Sequence, residues 1–474
     1  MTGAVAAIDL GATSGRVIVG HVGPDTLTAD VVGRFANEPV PTPDGLHWNV
    51  LGLYAGAVAG LREAFRAAPQ IASIGVDSWA VDYGLLRDGR LLGNPFHYRD
   101  ERTQRGVDAV HARISYPELF ARNGLQFLPF NTLYQFAAES EELLNFADAA
   151  LLIPDLIGYW LTGEARAEQT NASTTGLTRT DGTWDEELLA TLGLPRGLFP
   201  AIIRPGDRLG AVRPELAASL GAPDGISVTA VGSHDTASAV VAVPMRADAA
   251  AYISCGTWGL VGVEVERPVV SAEARAASFT NEGGVDGRVR LLRNVMGLWV
   301  LSETVRTWER SGTPIDLPTL LRAAADVTTD VPVFDVDDSR FLAPGDMPVR
   351  IDAWCAEHNV AAPRNQAEYA RSIIESLAQA FADTAREAAQ LGGVDVRTIH
   401  IVGGGALNEL LCQRTADRSG LAVLAGPVEA TGLGNILVQA RAQGFVQGSL
   451  EDLRALVART HEPRSYLPRA GSVS

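Results

Sequence analysis

Between Ala4 and Val22 the chain runs through two apolar, β-rich stretches separated by Gly11-Ala12-Thr13-Ser14-Gly15. That pattern predicts strand, turn, strand. It returns across residues 250–265, where Ala251, Ile253 and Gly256 repeat Ala6, Ile8 and Gly11 at a shift of 245. One repeat at about half the chain length, without low-complexity segments, predicts two related halves that each open with a glycine-turned hairpin. Strand-like runs such as 71–76 and 226–231 alternate with helix-length segments, as in α/β units. The clearest helix is 369–391, where Ile373, Ile374, Leu377, Phe381 and Leu391 recur near helical spacing and Gly392-Gly393 stops it. A strand at 398–402, then Gly403-Gly404-Gly405, then a helix containing Leu407, Leu410 and Leu411 should follow. A helix-like run at 236–243 ends in Pro244, so the boundary between halves falls near 244–249. The expected domains are 1–245 and 246–474.

Composition narrows the possible functions. A chain of 474 residues is too long for a single small module at ~150 residues per domain. With 46% hydrophobic and 20% charged residues it reads as globular, not disordered. The 39 basic against 56 acidic residues give a net charge of −17, which opposes binding to nucleic acid or an anionic membrane. Backbone N–H groups and one or two local cations can still hold a small phosphate. Cys255, Cys355 and Cys412 are too scattered for a disulfide framework or a zinc site, which fits a reducing compartment. No basic residue precedes the apolar run of the first seven residues, and no stretch reaches the ~18 apolar residues of a spanning helix. A cytoplasmic location is expected.

Several polar interruptions are candidates for chemistry. Asp9-Leu10-Gly11-Ala12-Thr13-Ser14-Gly15-Arg16 combines glycines, hydroxyls and a cation in a turn that can grip a polyphosphate, with Asp9 able to hold hydrated Mg²⁺. It lacks the Gly-Lys-Ser/Thr of a P-loop, and a plain hairpin turn is the alternative. Ser254-Cys255-Gly256-Thr257 is a second turn of the same kind. Ser233-His234-Asp235-Thr236 lies between a strand and a helix, where a carboxylate can accept the proton of a sugar hydroxyl attacking a γ-phosphate. Ser233, Asp235 or Thr236 would serve equally as a helix N-cap. The glycines 403–405 would let a purine lie on bare backbone, or simply let helix and strand pack closely. Asp77-Ser78-Trp79-Ala80-Val81-Asp82 pairs two carboxylates with an indole, as sugar sites need, although Trp79 reads equally as core. Tyr98-Arg99-Asp100-Glu101-Arg102 reads as a solvated charged face, and His97 as structural. Asn294, amid apolar residues, is either buried and satisfied or aimed at a ligand.

Taken together and in order, DLGATSGR, SIGVDSWAVD, YRDERT, FLPFNTLYQF, EQTNASTTGL, SHDTASAV, SCGTW, TNEGG, LRNVMGLW, IVGGGALN and AGPVEATGLGN resemble the FGGY family of carbohydrate kinases over nearly the whole chain. The hairpins and the GGG element are shared by the wider actin-like kinases. SHDTASAV, FLPFNTLYQF and TNEGG resemble those members that act on L-rhamnulose. The resemblance implies an α/β fold of two actin-like (ribonuclease H-like) domains around a central cleft that closes on ATP and Mg²⁺. It implies that Ala12, Thr13, Ser14, Gly15 and Arg16 hold ATP phosphates, that Thr257 makes a second phosphate contact and that Gly404 lies at the nucleotide. His234, Asp235 and Thr236 would contact the sugar, with Asp235 as general base, and Asn294 would bind another hydroxyl. Ala80 stands where a glycine is expected at the sugar, and Ser302 where a glutamine is expected near the nucleotide. The implied reaction is phosphorylation of L-rhamnulose at its 1-hydroxyl. Another ketose such as L-fuculose, or a non-catalytic nucleotide-binding regulator on the same scaffold, are the alternatives. The implied partners are a small sugar and ATP, with neither nucleic acid nor membrane, in a monomer or weak homodimer. Family members can carry paired cysteines, but the three here offer no obvious pairing.

Overall fold

The computed structural model describes residues 2–469, so Met1 and residues 470–474, at the ends of the two expected domains, lie outside it. The chain divides into two compact units. The first runs to Pro244 and takes in Val265–Leu291 and Ala430–Thr460. The second comprises Met245–Glu264, Leu292–Glu429 and the chain from His461 on. The expected domains follow the chain, whereas this packing groups two later segments with the first.

The first unit is built on a six-stranded sheet in the order Arg208–Ala211, Ser227–Thr229, Ile71–Ser78, Gly3–Leu10, Ser14–Gly23, Thr26–Ala36. Gly3–Leu10 pairs antiparallel with Ser14–Gly23 and parallel with Ile71–Ser78, which places Asp9 beside both Arg16 and Asp77. The first predicted hairpin thus forms, and Thr26–Ala36 extends it into a meander. Gly3–Leu10 is buried at every residue after Gly3, as expected of a strand covered on both faces. Helices Val50–Ala67 and Ala430–Ala442 pack on this sheet. An added Cβ at Gly20 would come within 2.5 Å of Ile436, so the second of these helices lies close on the strand. The strand expected at 226–231 is shorter, Ser227–Thr229. Beyond it the chain leaves the ladder as a loop, and Ser78 N donates instead to Ser233 O at 2.9 Å.

In the second unit the strands follow the order Val289–Met296 (its C-terminal half), Trp258–Val265, Ala250–Cys255, Thr398–Val402, Ala422–Ala425, Arg464–Tyr466. Its hairpin, Ala250–Cys255 with Trp258–Val265, is the predicted one. The long helix is Gln366–Gly392, with Ile373, Ile374, Leu377 and Phe381 buried. It starts earlier than predicted because the Asn365 side chain caps it, accepting from Glu368 N at 3.1 Å, and it stops at Gly393 in the left-handed region. The helix expected to contain Leu407 begins only at Glu409. Asn408 caps it, accepting from Leu411 N at 3.1 Å, and Leu407 sits in the preceding 3₁₀ turn with 70% of its surface exposed. Among the described residues no helix is long and apolar enough to cross a membrane.

Candidate functional site

Asp235 opens the helix Asp235–Val241, and His234 occupies the N-cap position without any side chain capping the helix. The capping alternative for Ser233, Asp235 and Thr236 therefore does not describe this turn. Ser233 is engaged elsewhere: its N–H and hydroxyl donate to buried Glu168 Oε2 at 3.0 and 2.8 Å. Glu168 also accepts from Thr170 N at 2.9 Å, Thr170 Oγ1 at 2.5 Å and Asn171 N at 3.2 Å. Burial pushes its carboxyl above the ordinary range, against those donors. His234 N donates to Thr170 Oγ1 at 3.3 Å, and Asn171 Nδ2 to Ser233 O at 3.4 Å. With Ser78 on the other side, the loop leading into Asp235 is fixed along its backbone before any ligand binds.

The Asp235 side chain is 32% exposed. Thr236 Oγ1 donates to its Oδ1 at 3.1 Å, and His234 Nε2 lies 3.4 Å from the same oxygen. Neither contact falls on Oδ2. On the other edge of the His234 ring, Nδ1 is 3.0 Å from Arg290 Nη2 and 3.3 Å from Glu282 Oε2, and those two charges are 3.1 Å apart. Burial would raise the Glu282 carboxyl, but Arg290 and then His234 outweigh it and hold it below the ordinary range.

At the first hairpin, Arg16 Nη2 donates to buried Asp9 Oδ2 at 2.6 Å. The turn is braced from behind by Asn37, whose Nδ2 donates to Gly11 O at 2.8 Å and whose N–H donates to Thr13 O at 3.1 Å. Ala12 is half-buried and Thr13 and Ser14 face outward, so hydroxyls and backbone are presented at the surface. Gly15 has a packing reason of its own, since an added Cβ would lie 2.2 Å from the Phe35 ring. Neighbouring Asp77 accepts from Asn435 Nδ2 at 2.6 Å on Oδ2, while its buried Oδ1 has no hydrogen-bond partner among the described residues. Burial, then the charge of Asp9, drives its carboxyl well above the usual range. Among the described residues no group of three or more His, Cys, Asp or Glu is arranged to hold a metal ion. One carboxylate is nevertheless compatible with a largely hydrated Mg²⁺, which takes one or two protein oxygens and keeps its waters.

In the second unit the Gly256-Thr257 turn is closed by Gly256 N donating to Trp258 O at 2.9 Å, and Thr257 is half-buried. The three glycines 403–405 are not equivalent. Gly403 has φ +78°, and a Cβ on Gly405 would sit 2.4 Å from Cys255 Sγ, so both are required by the fold. Gly404 is exposed, and among the described residues beyond its chain neighbours the nearest atom to an added Cβ is Cys255 O at 4.0 Å. Asn294 is half-buried in its strand, and Ser302 is exposed on the helix Trp299–Arg310. The three cysteines are free and buried, and burial pushes Cys255 and Cys412 up to about 12.

Two expectations are corrected. Neither carboxylate of the Asp77 and Asp82 pair is open to a sugar: Asp77 is fully buried against Asn435, and Asp82 lies buried beneath its own donors, Trp48 Nε1 at 2.6 Å, Trp79 Nε1 at 3.0 Å, Gln135 Nε2 at 2.8 Å and Tyr98 N at 3.2 Å. Burial raises it to about 6. Trp79 is accordingly core. The cluster 98–102 is not simply a solvated face either, for Tyr98 is buried and Arg102 Nη1 donates to Glu139 Oε1 at 2.7 Å in a pair almost closed to solvent. His97 is structural as expected, stacked 4.0 Å from Trp48 and driven by burial down to about 4. Ala80 is half-buried beside Val81, a β-branched residue held at φ +69°. Such a conformation is strained, and Thr132 Oγ1 helps hold it by donating to Val81 O at 2.7 Å. Sequence reasoning assigned no role to Glu168, Glu282, Arg290 or this strain. The available signal was an arginine inside an otherwise apolar run, Val289-Arg290-Leu291-Leu292.

The family model of the N-terminal domain of the FGGY family of carbohydrate kinases matches residues 4–242, and that of the C-terminal domain residues 251–443. The chain is 41% identical over 478 residues to a rhamnulokinase of Pectobacterium carotovorum subsp. carotovorum (strain PC1), covering 99% of this chain and 94% of that one. It is 40% identical over 471 residues to a rhamnulokinase of Enterobacter sp. (strain 638), covering 98% and 94%. Among solved structures, a gluconate kinase from Lactobacillus acidophilus superposes with TM-score 0.80 at 17% identity, covering 100% of this chain and 95% of that one. A ligand-bound xylulose kinase from the same organism gives 0.79 at 18%, covering 99% and 94%. At such identities the structural likeness establishes a shared fold.

Proposed function

This chain belongs to the FGGY family of carbohydrate kinases, and from that membership we propose that it transfers the γ-phosphoryl group of ATP to the 1-hydroxyl of L-rhamnulose. The observation that carries the assignment is a partly exposed carboxylate, Asp235, on a backbone-clamped loop in a chain that matches rhamnulokinases almost end to end. Asp235 accepts the proton of the 1-hydroxyl as its oxygen attacks the γ-phosphorus. The bond from that phosphorus to the bridging oxygen breaks, and ADP leaves. Oδ2 is the acceptor, since Thr236 and His234 both meet Oδ1.

Ala12, Thr13, Ser14 and Gly15 offer backbone N–H groups and hydroxyls to the phosphates, with Arg16 as a cation held in place by Asp9. Asp9 would hold hydrated Mg²⁺, which when bound supplies charge neutralisation at the β- and γ-phosphates. In the second unit Thr257 and exposed Gly404 would meet the nucleotide, and half-buried Asn294 a sugar hydroxyl. His234 and Thr236 complete the sugar contacts beside the base. The protein would work in the cytoplasm as a monomer or weak homodimer. Preference for another ketose is a second reading that rests on one position: Ala80 adds a methyl beside the strained Val81 where the family resemblance leads one to expect glycine.

The test is ADP release by purified protein with Mg-ATP and a panel of L-rhamnulose, L-fuculose, L-ribulose, D-xylulose and glycerol. L-Rhamnulose should lead in kcat/KM by at least about 10-fold. A different leading ketose would replace the substrate, and no stimulated release at all would favour a nucleotide-binding regulator.

A further inference from the structure

Behind His234 lies a buried ion pair, Glu282 with Arg290, that touches none of the groups assigned to phosphoryl transfer except His234. Arg290 has 0% of its surface exposed and sits in a strand among apolar neighbours, with Nε donating to Gly283 O at 3.0 Å. Glu282, in the strand Thr280–Gly283, is buried with it. Two charges withdrawn from water are costly unless their geometry returns something.

What they return is control of one proton. A guanidinium has only donors, so its Nη2, at 3.0 Å, makes His234 Nδ1 an acceptor. In the neutral ring the hydrogen then sits on Nε2, on the side of Asp235 Oδ1 at 3.4 Å. Glu282 pulls the other way, being 3.3 Å from the same Nδ1, where alone it would draw the proton to itself. Arg290, 3.1 Å from that carboxylate, satisfies its charge, and at Nδ1 the arginine stands closer than the carboxylate, 3.0 Å against 3.3 Å. Glu282 therefore anchors the arginine and does not compete for the imidazole.

We propose that Glu282 and Arg290 are positioning residues for phosphoryl transfer: Arg290, anchored by Glu282, fixes His234 as its Nε2–H tautomer, and that hydrogen orients Asp235 through Oδ1, leaving Oδ2 for the sugar proton. The proposal rests on Asp235 being the base. The charges facing the ring are Asp235 from its own helix, Glu282, and Arg290. Behind the loop stand Glu168, which holds Ser233, and Asp77, whose carboxyl feels the charge of Asp235. Removing Arg290 leaves the ring between carboxylates and stabilises the imidazolium. Removing the Glu282 charge leaves the arginine and does the opposite.

The experiment joins a spectrum with a pH profile. In native protein carrying ¹⁵N-labelled histidine, with the His234 signal identified by its absence in His234→Asn, Nε2 should be protonated and Nδ1 bare. Arg290→Met should lower kcat by about 10–100-fold with the KM for ATP unchanged. It should also move the acid limb of kcat/KM up by about one pH unit. Arg290→Lys, which keeps charge and donor, should recover most of the rate. Glu282→Gln should move the acid limb to lower pH. Opposite displacements are not what a merely structural pair would give. A protonated Nδ1 in the native spectrum, or limbs that coincide with native in both variants, would overturn the proposal. Absence of ketose turnover by native protein would instead remove the premise about Asp235, and the native spectrum would still decide the tautomer.

Discussion

At the scale of single residues, the cage around Asp82 makes a prediction about pH. The Asp82 carboxyl is raised from 3.8 to about 6, so it contributes most stability when protonated and loses it as pH rises from about 4 to 6. His97, tied to the same aromatic cluster through Trp48, is lowered from 6.5 to about 4. Its contribution is complete above 6.5 and is lost as pH falls toward 4. The two slopes oppose each other across nearly the same window. His97→Phe, which keeps a ring against Trp48, removes one of them. Between pH 7 and pH 5 that variant should lose about 1–2 kcal/mol less stability than native protein, read from urea midpoints at the two pH values. Parallel pH dependences in the two proteins would mean that His97 ionises in the folded state as freely as in water.

At the scale of elements, the glycines 403–405 separate folding from binding. Gly405→Ala drives a methyl into Cys255 and should cost about 1–3 kcal/mol in the second unit's unfolding midpoint. Gly404→Ala meets open space, and should leave that midpoint in place while raising the KM for ATP. The Glu168 clamp gives a second contrast. Glu168→Ala strands buried donors of Ser233, Thr170 and Asn171 and should cost about 3–5 kcal/mol, with kcat falling more than the KM for ATP changes. Elements such as Thr398–Val402 and Gln366–Gly392 were legible in the sequence because local periodicity and glycine stops determine them. The hairpin turns were legible for the same reason. The clamp was not, since Glu168 and Ser233 are 65 positions apart and only the fold joins them. The same holds for Arg102 with Glu139 and for His234 with Arg290, where a charged residue reads as solvated until its buried partner is known. Asp235 stood out by its place between strand and helix, but what fixes it came from three distant segments.

At the scale of the whole molecule, the first unit depends on a segment from near the end of the chain. Ala430–Ala442 covers its sheet, with Asn435 Nδ2 donating to Asp77 at 2.6 Å and Gln439 Nε2 to Ala6 O at 3.0 Å. Arg454 Nη2 donates to Val240 O at 3.0 Å from the next helix. A chain ending at Glu429 should therefore leave the first unit unfolded, visible as lost amide-exchange protection in Gly3–Leu10, although every strand of its sheet is present. Protection equal to native would show that the terminal helices are dispensable. For the chemistry, the most direct measurement is Asp235→Asn, an isosteric change that keeps the contacts of the side chain and removes its basicity. L-Rhamnulose binding by titration calorimetry should stay within about 10-fold of native, while kcat for ADP release falls by about 10²–10⁴-fold. Native turnover in that variant would contradict the assignment of Asp235 as the base.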